Sequence, residues 1–133
     1  MAAINEHSSD LIEEVVRANN DDSQAATRLL LTSLRPSEVA TLLQSYPSKV
    51  RKVLWELLEE EVQSQTLQFI SEEVRAEFLQ VMDTAQLVAA ADNIATDDFA
   101  DILQQLPQSV TDNVLAALNA NDRARVEAVL SYD

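Results

Sequence analysis

The stretch Thr96-Asp97-Asp98-Phe99-Ala100-Asp101 holds the side chains best placed for chemistry. Asp97 and Asp101 are four residues apart, so on a helix they project from one face with their β-carbons about 6 Å apart. Two carboxylates in that relation address one hard cation directly or through its waters, the way magnesium is held while it keeps much of its hydration shell. A second account stands beside the first. Acidic residues in a first helical turn are favoured by the helix dipole and by free backbone donors, which explains Asp97 and Asp98 without any metal, though it explains Asp101 less well.

The other candidates point away from catalysis. His7 is the sole histidine and lies in an N-terminal segment, residues 1–7, that is expected to be poorly ordered. The run Glu59-Glu60-Glu61 is expected at the end of a helix, as a solvated corner that attracts cations. Trp55 and Tyr46 lie beside apolar stripes, so packing accounts for them better than ligand stacking does. The chain has no cysteine, which removes thiol nucleophiles and thiolate metal sites. It has no glycine either, and phosphate-cradling loops need glycine for close backbone approach. A protein that binds a partner, and is not an enzyme, is the expectation.

The net charge of −14, from 23 Asp and Glu against nine Lys and Arg, repels phosphate backbones and anionic headgroups. Nucleic acid is therefore excluded as a natural partner, and what remains is a cation, a basic protein surface, or acidity that serves solubility. No apolar run approaches the ~18 residues that span a bilayer, so direct membrane insertion is not expected.

These residues are expected on helices. At 133 residues the chain has the size of one domain, and it is rich in Ala, Leu, Glu and Gln, with only three prolines. Apolar residues recur at helical spacing, as in Leu11, Ile12, Val15 and Val16, in Val39, Leu42 and Leu43, and in Phe99, Ile102 and Leu103. Pro36, Pro47 and Pro107 suit first-turn positions, Asp22, Thr84, Thr96 and Asn121 are candidate N-caps, and Asn19, Asn93 and Asn119 are candidate left-handed closers. About ten short helices follow. An offset of 60 residues aligns Ala40 with Ala100, Leu43 with Leu103, Pro47 with Pro107 and Leu58 with Leu118, so a pair of helical hairpins repeats. Short helix pairs cannot bury their faces alone, which predicts an all-α fold of stacked hairpins forming a short superhelix of the α-solenoid kind.

The residues from Asp97 to Leu103, then Leu106-Pro107, then Arg123 to Tyr132, carry a family resemblance. The chain resembles the cytoplasmic N-terminal domain of MgtE-type magnesium transporters over essentially its whole length. The resemblance implies a single helical domain over 1–133, an excised domain or a short family member without the CBS and transmembrane domains that follow in the family. It implies a soluble fragment belonging to the cytoplasmic side of the plasma membrane, monomeric alone and part of a homodimeric parent. It further implies docking on CBS domains when magnesium is plentiful, which favours the closed pore. Asp97 and Asp101 match the family's interfacial acidic positions, and Mg2+ would be held weakly, in a site shared with the absent CBS domains. A third, often acidic position falls on Gln65, a weaker magnesium ligand. The alternative is a metal-independent helical-repeat adaptor similar to domains of flagellar motor switch proteins.

Overall fold

The computed structural model describes residues 21–131, with side chains from Gln24 onward. Among these residues it is helical throughout, with no strand: α1 (Asp21–Thr32), α2 (Pro36–Gln44), α3 (Ser48–Leu57), α4 (Glu60–Leu67), α5 (Glu72–Leu79), α6 (Thr84–Ala90), α7 (Thr96–Gln104), α8 (Gln108–Ala117) and α9 (Ala120–Leu130). The all-helical expectation therefore holds, with nine of the expected ten or so helices among the described residues. His7, the segment 1–7, Asn19 and the stripe from Leu11 to Val16 lie outside them.

The described residues divide between Ile70 and Ser71 into two compact units. In the first, α1 packs on α3, and α2 on both α3 and α4. Its core holds Leu31, Leu34, Val39, Leu42, Leu43, Leu54 and Leu67. In the second, α6 packs on α8 and α7 on α9, around Phe78, Leu87, Ile94, Phe99, Ile102, Leu103 and Val114.

The 60-residue offset is a structural register. Pro36–Gln44 and Ser48–Leu57 map onto Thr96–Gln104 and Gln108–Ala117 with no shift at either end. Burial follows the same register: Leu34 and Ile94, Val39 and Phe99, Leu42 and Ile102, Leu54 and Val114 are buried in pairs. The polar bonds made from matching donor positions reach different acceptors. The Arg51 guanidinium donates to the Tyr46 carbonyl, and at the matching position Thr111 Oγ1 donates to the Leu103 carbonyl at 2.9 Å.

Helix ends depart from the sequence reading in ways the backbone explains. Pro36 occupies the first turn of α2 as expected, but Pro47 and Pro107 sit one residue earlier, as N-caps. Thr84 is already helical. The cap is Asp83, whose Oδ1 accepts from the Gln86 amide at 2.8 Å while Gln86 Oε1 accepts from the Asp83 amide at 3.0 Å. Thr96 is likewise helical, behind Ala95. Asp22 and Asn121 lie inside α1 and α9. Asn119 does not close a helix in the left-handed region: at φ −66°, ψ 164° it starts α9, its Oδ1 accepting from the Asp122 amide at 2.8 Å. A chain without glycine has another way to end helices. The C-caps Ser45, Gln68, Gln80, Ala91, Gln105 and Ser131 all stay in the right-handed region, so the final turn tightens instead of reversing hand. Asn119→Ala is expected to lower stability by about 1 kcal/mol, the usual loss for a side-chain cap, as read from the chemical denaturation midpoint. A loss of a few tenths or less would mean that the Asn119 bond contributes nothing.

Candidate metal site

Helix α7 buries Phe99, Ala100, Ile102 and Leu103, the stripe that seats it against α9. The opposite side carries Asp97 and Asp101, both exposed, while Asp98 is half-buried. No side chain caps this helix, so Asp97 and Asp98 stand in a first turn whose amides lack a side-chain acceptor from Ala95. Asp101 lies one turn further on and gains less from the dipole. Among the described residues no hydrogen bond or ion pair ties Asp97 or Asp101, so both carboxylates stay available to solvent and its ions.

The first repeat supplies an internal comparison. The positions matching Asp97 and Asp101 are Ser37 and Thr41, and there Thr41 Oγ1 donates to the Ser37 carbonyl at 3.1 Å. Helix α2 has the same bounds in this register without either carboxylate, so a helix of this length and setting does not require them. Two hard oxygen donors one turn apart fit a strongly hydrated cation that keeps part of its water shell. They do not make a full cage: among the described residues no group of three or more His, Cys, Asp or Glu side chains is placed to hold a metal ion.

The other candidates belong to the first unit. Gln65 lies in α4 of the first unit and is half-buried. Beside it Gln63 is buried and donates from Nε2 to the Trp55 carbonyl at 2.7 Å, and Ser64 Oγ donates to the Glu60 carbonyl at 3.0 Å. Of this stretch, Gln65 keeps a partly accessible side chain. The Glu59-Glu60-Glu61 run begins α4 instead of ending α3, because the chain turns extended at Leu58. There the dipole favours the negative charges it was expected to oppose. Trp55 is buried, in keeping with packing, and Tyr46 is half-buried.

Sequence reasoning missed a polar clamp in the second unit. Arg75 is buried on α5 and donates from Nε to Gln105 Oε1 at 2.8 Å, while Gln105 Nε2 donates to the Glu72 carbonyl at 2.6 Å. One amide thus ties α5 to the turn between α7 and α8. The partners are 30 or more residues apart and belong to no local motif, so no pattern in the chain signals them.

Comparison with known proteins comes from two directions. The model of the MgtE intracellular N domain family matches residues 34–133. A solved structure described as the soluble part of a magnesium transporter superposes with a TM-score of 0.72 at 21% identity, covering 96% of this chain and 50% of that one. The chain thus spans half the length of that protein, and at this identity the likeness speaks for the fold. A comparison with curated proteins finds no match.

Proposed function

This chain belongs to the family of MgtE intracellular N domains, and from that premise we propose that it is the magnesium-sensing regulatory domain of a magnesium transporter, on the cytoplasmic side of the membrane. In this reading it docks on CBS domains of the same parent when magnesium is plentiful, and docking favours the closed pore. The observation that carries it is the exposed pair Asp97 and Asp101 on α7, present where the first repeat has Ser37 and Thr41.

The physics of such a sensor is simple. Two like charges about 6 Å apart repel by on the order of 1 kcal/mol in water and by more beside a protein surface. A chain of net charge −14 meeting another acidic surface therefore stays apart until cations intervene. Magnesium between the surfaces turns repulsion into attraction. Because the ion then binds the docked state better than the free one, docking reports its concentration. Asp97 and Asp101 would orient the ion through its water shell, with further ligands coming from the partner. Gln65, at the third position, is neutral and a weaker magnesium ligand than a carboxylate would be.

The reading is tested by magnesium calorimetry on this chain alone and again with the CBS portion of the parent added. Alone, weak non-saturating heats are expected. With the CBS portion, association should appear only with magnesium, and apparent affinity should tighten by about tenfold or more, the scale of a typical coupling energy. Association indifferent to magnesium would replace this reading with the metal-independent adaptor. A tight stoichiometric site in the chain alone would show that the ligands lie elsewhere.

A further inference from the structure

We propose that the groove between α5 and the turn joining α7 to α8 is a second docking site, for a basic amphipathic helix of a partner protein. It uses none of the proposed metal-facing residues and goes beyond the magnesium reading. Leu79, Met82, Leu106, Pro107 and Val110 line a groove of about 380 Å³, and no charged side chain lines it. Val81, next to Met82 in sequence, is 65% exposed. A mostly apolar, uncharged groove on a chain of net charge −14 has the character of a contact site.

Charge says what kind of partner fits. Residues 71–131 carry eleven acidic side chains against three basic ones. Glu73 and Glu77 lie on α5, the helix that lines the groove, and Asp83 follows Met82. Of the three arginines, Arg75 is buried and bound to Gln105, and Arg125 pairs with Asp122 at 2.8 Å. The groove is thus an uncharged strip within a negative field. Its complement is a helix with an apolar stripe at i, i+3, i+4 and i+7, flanked by Lys or Arg. A second copy of this chain, at −14, is repelled.

The groove is also held in shape before any partner arrives. Gln105 is itself a lining residue, and its two bonds, to Arg75 and to the Glu72 carbonyl, fix one wall against the other. Binding to a preformed wall avoids most of the ordering entropy that a loose surface would lose.

The probe is a synthetic helical peptide of leucine and lysine with its leucines at that spacing, titrated into the 133-residue chain and followed by backbone amide shifts. Its controls are a scrambled peptide of the same composition and a version with glutamate for lysine. Saturable shifts are expected around Leu79, Met82, Leu106 and Val110, with no binding by the glutamate version. The double variant Glu73→Gln, Glu77→Gln should weaken binding several-fold, and Val110→Lys by about tenfold or more, the scale of a lost hot spot. Should Val110→Lys fail to fold, Gln80→Lys, exposed at the end of α5, should still weaken binding several-fold. The proposal is overturned by absent or non-saturable binding, or by equal binding of the scrambled peptide. It is equally overturned by shifts centred on the Leu34, Leu57 and Val62 groove of the first unit, or by affinity unchanged in the folded variants.

Discussion

On the proposed reading, replacing Asp97 and Asp101 together by Asn in a full-length transporter that carries this domain is expected to raise the cytoplasmic magnesium concentration that half-closes the pore by about fivefold or more, the low end of typical coupling energies. The substitution keeps size and polarity and removes two charges. Direction separates the accounts. If the carboxylates orient magnesium, their loss weakens the docked state and closure needs more of the ion. If they only repel the opposite surface, neutralising them eases docking and closure needs less. An unchanged midpoint in channel open probability against magnesium would leave them as helix-start residues with no sensing role. The fold itself should barely register the change, because exposed substitutions usually stay within about 0.5 kcal/mol and the first-turn position adds little to that. The variant Asp97→Ser, Asp101→Thr is the natural control, since it copies the side chains that α2 already carries at these positions.

The largest loss of stability is expected from Phe99→Ala. Phe99 is 1% exposed and belongs to the stripe that seats α7. Deleting a buried aromatic ring removes its transfer free energy and leaves a cavity, together about 3–5 kcal/mol. That is a large part of the ~5–15 kcal/mol by which a domain is usually stable. Denaturant unfolding followed by helical circular dichroism gives the measurement, and a loss below about 1 kcal/mol would show that α7 is not held by this stripe. Phe99→Val copies Val39 of the first repeat and should be milder, since less volume is vacated. The two variants also separate position from charge: a mis-seated α7 would disturb magnesium response with Asp97 and Asp101 intact.

Helices and their inward faces were legible in the sequence because both are written in periodicity. Ala40 with Ala100 and Leu43 with Leu103 gave the repeat, and the structure reproduces it to the residue in α2 and α7. Caps were less legible. Thr84 and Asp83 are both good N-cap residues, and the choice between them depends on Gln86 reaching back, which a scan for single residues overlooks. Asparagine suits both ends of a helix, so at Asn119 only the backbone angles decide that it starts one. The Glu59-Glu60-Glu61 run moved from the end of one helix to the start of the next because Leu58, an apolar residue with no turn character, makes the break. Of the candidate site, the exposed face shared by Asp97 and Asp101 followed from spacing alone. The Arg75–Gln105 clamp did not, because it joins residues whose proximity only packing creates.

The repeat also bears on how this chain reaches its native state. The recurring pairings, α1 with α3 and α2 with α4, then α6 with α8 and α7 with α9, each link helices separated by just one other. Contacts so close in sequence require little loop closure before they are rewarded, which places the chain among fast folders limited by helix formation and local collapse. With similar hairpins in each unit, nucleation has two equivalent starting points, and a lesion that slows one leaves the other able to begin.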